Sequence, residues 1–297
     1  MVFPEYHPFK SSELRDEFLK DYDQRAKSWP VLSETKMVDT SYGKTIVRIS
    51  GPAQAKPLIL LHGAGANSLM WLNNVGALSA YFRTFAIDDL YGSGRSINTR
   101  KIKDSRDYVN WLNELFNALQ LGNDISMMGA SYGGWQISQY LLRFPERLHK
   151  IVLLAPAYTV LRLPAEALVR FLCPRLLPSR FFGRSLLFWL FEDWARKDKA
   201  AVEGMVQIGF LSSRCFKTRR LPFMNVLSDN EWKSITIPTL FMVGENEKIY
   251  SARSAVKRLN TVAPQIKTEI IPNAGHDLIS VQTELVNKKV LEFLTGP

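Results

Sequence analysis

The sequence predicts an α/β protein: a mostly parallel, eight-stranded sheet with helices on both faces and a helical lid inserted into it. Short, nearly continuous apolar runs (PLILLHG, FRTFAIDD, DISMMGAS, KIVLLAPA, TLFMVGE, TEIIPNAGH) alternate with stretches of helical spacing. Such runs suit strands buried on both faces, and their alternation with helices is that of a parallel sheet. One interval, residues 158–232, is far longer than the others, and a structureless loop of that length is rare in a compact domain. With 46% hydrophobic and 22% charged residues, the 297-residue chain has an ordinary globular composition and can bury one sizeable core.

Taken in order, residues 11–28 (SSELRDEFLKDYDQRAKS) carry a serine cap and helix-spaced apolar positions, with the helix starting at Ser12 to Leu14. From Lys36 to Ser50 the pattern becomes two strands around Tyr42-Gly43, the second alternating Thr45, Val47 and Ile49, as in an antiparallel edge hairpin. The six apolar runs complete the eight strands. Within the long interval, AEALVRFLCPRLLP, RSLLFWLFEDWARKD and AAVEGMVQIGFLSS repeat at helical spacing, with Pro174, Pro178 and Gly183 as breaks. The expected division is therefore a core of residues 1–157 and 233–297 and a lid of residues 158–232.

Several function classes drop out. Thirty-eight Lys and Arg against 28 Asp and Glu give a formal charge of +10, which favours anionic partners at long range. The basic residues are scattered and carry no nucleic-acid-binding signature, so nucleic acid is not an expected partner. Cys173 and Cys215, the only cysteines, form neither a CxxC pair nor a disulfide framework. The amino terminus lacks the basic-then-apolar pattern of a secretory signal, and no apolar stretch is long enough to span a membrane, so a soluble, cytoplasmic protein is expected. The four histidines are too dispersed for a metal site and no phosphate-binding glycine motif stands in the right context, so no cofactor or metal is expected.

The chemistry concentrates in three places. Gly129-Ala130-Ser131-Tyr132-Gly133 has the form G-x-S-x-G between the strand ISMM and the helix WQISQYLLRF. A sharp strand-to-helix turn there pushes a serine hydroxyl out toward substrate. A hydroxyl is a poor nucleophile without a base. Among His7, His62, His149 and His276, the last lies in a loop after the final strand, where it can reach over such a turn. A carboxylate must then orient the imidazole, and the strand TLFMVG runs into Glu245-Asn246-Glu247, which offers two.

On these motifs, residues 36 to 295 resemble the α/β-hydrolase superfamily, and within it bacterial carboxylesterase-type members with a helical lid. In that family the orienting acid usually falls three residues after the strand-ending glycine. The resemblance thus implies Glu247 as the acid, with Glu245 the alternative, and glutamate is a departure from the commoner aspartate. It implies an oxyanion hole from the backbone N–H groups of Tyr132 and of Ala64 in the His62-Gly63-Ala64-Gly65 loop, with Gly63 as fallback, and a scaffold role for His62. Asp89 to Ser96 resembles the family's D-x-P-G-x-G-x-S turn, read as structural, with Tyr91 and Ser93 as departures. Serine at position 131 excludes the relatives that open epoxides or displace halide with an elbow aspartate.

The expected activity is thus hydrolysis of a small-molecule carboxylic ester through an acyl-enzyme, using Ser131, His276 and Glu247. Lipase, lactonase, aminopeptidase, carbon–carbon bond hydrolase and a non-enzymatic ligand sensor are the alternatives on this fold. From Ala157 to Lys233 there are thirteen Lys and Arg against seven Asp and Glu, interleaved with aromatics including Phe171, Phe181, Phe188 and Trp189. Such a lid suits an apolar acyl part, and contact with a membrane surface is a further expectation.

Overall fold

The computed structural model describes residues 3–177, 179–218 and 221–296. Its first helix, α1 (Ser12–Ala26), is capped by Ser11, whose hydroxyl accepts from the Leu14 N–H, and it buries Phe18 and Tyr22. The hairpin β1 (Ser33–Thr40) and β2 (Gly43–Ser50) turns at Ser41-Tyr42, so Gly43 is already the first residue of β2. Thr45, Val47 and Ile49 are buried as expected, and so is Ile46, because β2 is an inner strand with β1 outside it.

The rest of the sheet is β3 (Pro57–Leu61), β4 (Arg83–Asp88), β5 (Ile97–Asn98), β6 (Ile125–Ala130), β7 (Leu148–Leu154), β8 (Thr239–Gly244) and β9 (Lys267–Ile271), in the order β1-β2-β4-β3-β6-β7-β8-β9 with β5 paired to β2. From β4 to β9 along that order all pairs are parallel, and β2 is antiparallel to β1, β4 and β5. Among the described residues there are thus nine strands rather than eight. The extra one has only two residues, too short to form an apolar run.

Strand residues alternate between two cores. Ile59, Leu61, Phe85 and Ile87 face one side with Trp111 and Leu115 of α3 (Ser105–Ala118), preceded in the chain by α2 (Val75–Ser79), and with Trp135 and Tyr140 of α4 (Tyr132–Leu141). Leu58, Leu60, Ala86 and Met128 face the other with Phe18 and Tyr22 of α1 and Val75 and Leu78 of α2. Burial of each such side chain contributes about 1.5–3 kcal/mol relative to exposure, which holds helices on both faces.

Between β7 and β8 the chain forms α5 (Ala165–Leu176), α6 (Arg180–Leu190), α7 (Glu192–Lys197), α8 (Lys199–Cys215) and α9 (Asp229–Lys233); α10 (Ala252–Val262), α11 (Leu278–Val281) and α12 (Thr283–Thr295) follow β8 and β9. Pro174 and Gly183 do not act as breaks. Pro174 sits inside the last turn of α5 and Gly183 in the first turn of α6, where its N–H donates to the Ser179 carbonyl (3.1 Å); Pro178 lies outside the described residues. The expected helix over 184–198 is two helices, parted at Phe191, whose backbone leaves the helical region. The apolar stripe Leu168, Phe171, Leu172 and Leu176 of α5 is exposed. Among the described residues, no helix is long and apolar enough to cross a membrane.

Candidate active site

Ser131 joins β6 to α4 with φ 52° and ψ −115°, a conformation that costs a non-glycine residue energy and persists only where its surroundings impose it. Here they do. The Ser131 N–H donates to the Leu154 carbonyl (2.9 Å), and its own carbonyl accepts from Trp135 (3.2 Å) and Ala157 (3.1 Å). A Cβ on Gly129 would lie 2.6 Å from the Gly133 backbone, and one on Gly133 would lie 2.2 Å from the Leu61 carbonyl oxygen. Helix α4 therefore seats directly on the end of β3. The Ser131 side chain does not cap its helix, which leaves the hydroxyl for other chemistry.

Backbone hydrogen bonds stitch the loops at the carboxyl ends of the parallel strands into a row. The Ser131–Leu154 bond is continued by Ala155 N–H to the Met242 carbonyl (2.7 Å), Glu245 N–H to Ile271 (2.9 Å) and Asn246 N–H to Ala274 (2.9 Å). This edge is where ligands of open α/β sheets bind. It carries Ser131 after β6, Glu247 after β8 and His276 after β9.

Glu247 and His276 meet there. His276 Nδ1 lies 2.9 Å from Glu247 Oε2, and the two side chains are 7% and 0% exposed. Glu247 Oε1 accepts from the backbone N–H groups of Lys248 (2.8 Å) and Ile249 (3.0 Å), so the carboxylate is fixed at both oxygens. Glu245 is exposed. With Nδ1 engaged by the carboxylate, Nε2 is the nitrogen left for proton transfer. Burial acts to lower the pKa of the His276 ring, but the charge and hydrogen bond of Glu247, then the charge of Asp277, outweigh it and raise the pKa above the usual 6.5.

The other three histidines are engaged elsewhere. His62 Nδ1 donates to the Gly63 carbonyl (2.8 Å) while Nε2 accepts from the Asp89 N–H (3.0 Å), so both ring nitrogens hold backbone and neither is available as a base. His7 is buried beside Phe3 and accepts from the Phe9 N–H. His149 pairs with Asp124 at 2.9 Å.

In the loop after β3, the Gly63 N–H is taken by the Met70 sulfur (3.3 Å) and the Gly63 carbonyl accepts from Ala66 (3.2 Å). A Cβ on Gly63 would lie 3.5 Å from that of Ser131, so this loop lies against the serine. Of the two donors considered, Gly63 thus already has a partner for its N–H. Tyr132 starts α4, and its ring packs against Trp135 (5.3 Å) and Tyr108 (5.7 Å). Beneath the ring, Asp89 accepts from Gln136, the Tyr91 N–H and Tyr108. A Cβ on Gly92 would lie 2.7 Å from the His62 ring, which accounts for the glycine in that turn.

One residue of the site escaped the sequence reading. Asp277 is 2% exposed, and its carboxylate accepts from the Gly275 N–H (3.0 Å) and from the Trp194 N–H of α7 (2.8 Å). The His-Asp pair at 276–277 was the available signal, but nothing in the spacing links it to position 194.

Residues 52–282 match the family Hydrolase_4, described as serine aminopeptidase, S33. Over 295 residues the chain is 35% identical to carboxylesterase YbfK of Bacillus subtilis (strain 168), covering 97% of each. The crystal structure of that carboxylesterase, CesB (YbfK), superposes with a TM-score of 0.86 at 33% identity, covering 96% of this chain and 99% of the other. The crystal structure of naproxen esterase (carboxylesterase NP) from Bacillus subtilis gives 0.87 at 31% identity over 96% and 99%.

Proposed function

We propose, from the premise that this chain belongs to the Hydrolase_4 family of α/β hydrolases and is a serine hydrolase of the carboxylesterase type, that it cleaves carboxylic esters through an acyl-enzyme on Ser131. The observation that carries this reading is the buried 2.9 Å contact between His276 and Glu247 on the sheet edge that also bears the strained serine.

His276 Nε2 takes the Ser131 proton as Oγ attacks the ester carbonyl carbon. The proton then passes to the leaving alcohol as its C–O bond breaks, leaving an acyl-serine. Water enters, gives a proton to Nε2 and attacks the acyl carbon; the acid departs and Ser131 recovers its proton. Glu247 accepts from Nδ1–H throughout, holding the tautomer and favouring the imidazolium. The amides of Tyr132 and Ala64 hold the oxyanion, worth about 3–4 kcal/mol per donor in a water-excluded site.

The helices of residues 158–232 act as a lid over the core formed by residues 1–157 and 233–297. Phe191 supports this, its ring 6.4 Å from that of His276 and within 22° of parallel, and it supports a substrate with an apolar acyl part. The chemistry calls on no cofactor.

Rapid mixing with a p-nitrophenyl ester tests the scheme. A burst of p-nitrophenol matching the enzyme concentration is expected, with steady-state turnover lower by at least about four orders of magnitude in Ser131→Ala. Undiminished turnover in that variant would remove the acyl-enzyme reading.

A further inference from the structure

Asp277 has no task in the scheme above, yet it is a buried carboxylate beside the proposed base. Its partner across the site, Trp194, belongs to α7, and the neighbours of Trp194 reach the same two loops. Glu192 pairs with Lys248 (2.7 Å) and Asp193 accepts from Asn246 (2.9 Å), so α7 holds the residues on either side of Glu247. Lys197 donates to the Val281 carbonyl (3.1 Å), Asp277 accepts from Trp194, and Phe191 lies parallel to the His276 ring. The short stretch from Phe191 to Lys197, inserted between β7 and β8, thus grips both the loop after β8 and the histidine loop.

The grip is uneven. The Lys248–Glu192 pair is about one-third exposed on each side, and such pairs are weak singly. Asp277 differs because burial leaves its oxygens no water to fall back on, so losing an N–H partner is costly. The charged groups around His276 are Glu247 and Lys248 from the loop after β8, Asp277 from its own loop, and Glu192, Asp193, Arg196 and Lys197 from α7. The break in the helix at Phe191, which no proline or glycine causes, is where the chain turns to make these contacts.

We propose that Asp277 is a positioning residue of the ester-cleaving reaction, tying α7 to the histidine loop so that His276 is held against Glu247 and toward Ser131. It rests on the reading of those three residues given above. Two consequences follow from its chemistry. The carboxylate fixes two N–H groups that an amide cannot satisfy together, and its charge favours the protonated ring.

The test is the pH profile of kcat/KM, together with kcat and KM, for wild type, Asp277→Asn and the double variant Glu192→Gln/Asp193→Asn, with Ser131→Ala as reference. Asp277→Asn should lower kcat about tenfold, change KM by less than about twofold, and move the acidic limb to lower pH, a movement that a purely structural role would not produce. The double variant leaves the Asp277–Trp194 bond in place and should lower kcat by no more than about threefold; if Asp277→Asn does not fold, Asp277→Glu, which keeps the charge on a longer arm, decides the matter, with a lowered kcat expected and wild-type kcat overturning the proposal. Wild-type kcat and an unmoved limb in the variants, with Ser131→Ala inactive, overturn the clamp alone. An active Ser131→Ala overturns the reading beneath it, and the clamp with it.

Discussion

Position 247 carries glutamate, one methylene longer than the aspartate that the family resemblance leads one to expect of a proposed acid, and its two oxygens have separate partners. Oε2 goes to His276 while Oε1 is held by two consecutive backbone N–H groups. Gln at 247 could present its oxygen to only one of these sets, which would favour the wrong tautomer of the ring. Glu247→Gln is expected to lower kcat by about four orders of magnitude, whereas Glu245→Gln, on an exposed side chain, should stay close to wild type; the reverse ranking would transfer the acid role. The pH dependence has a definite sign. The proposed mechanism needs neutral His276, whose pKa is raised, so it predicts a rising limb above pH 6.5 that moves down when the Glu247 charge is removed. At this scale the placement of Ser131 on a strand-to-helix turn and of His276 in the loop after the last strand was legible, because motif and loop context single them out. The choice of Glu247 over Glu245 came from family resemblance. The Met70 sulfur on the Gly63 amide and the Asp277–Trp194 bond join residues whose meeting only the fold decides.

Among the elements, the junction of β3, β6 and α4 sets the site most directly. Gly133 has no room for a methyl group because the Leu61 carbonyl oxygen would stand 2.2 Å from it; backbone, unlike a side-chain end, cannot swing away. Gly133→Ala should therefore push α4 off the sheet and cost about 3 kcal/mol, read as a lower urea midpoint. Gly204, exposed inside α8 with no atom within 4 Å of an added Cβ, should gain about 0.5–1 kcal/mol as alanine. Equal midpoints for the two variants would contradict this account of the elbow. The strands and α1 were readable from period and capping. The two-residue β5 was not, and the division of α6 from α7 was not either, since apolar spacing runs on through Phe191 while contacts to the two loops decide where the helix stops.

Over the whole molecule, a parallel sheet brings together residues far apart in the chain. Each step from β6 to β9 is secured by a backbone hydrogen bond just past the strand end, so serine, glutamate and histidine emerge along one edge and α7 closes over two of their loops. The parallel class of such a sheet follows from apolar runs alternating with helices, and the hand of its crossovers from chain twist, so that much could be read in advance, whereas the crossing of β3 and β4 in the strand order could not. The exposed stripe of α5 could not, because spacing tells which residues share a face but not whether that face points inward. The central claim is that this convergence makes one hydroxyl reactive. Peptide mapping after treatment with a fluorophosphonate tests it most directly. The account predicts a single adduct on Ser131, absent in Ser131→Ala and formed far more slowly in His276→Gln; an enzyme that hydrolyses esters while Ser131 stays unmodified, or that carries the adduct elsewhere, would contradict it.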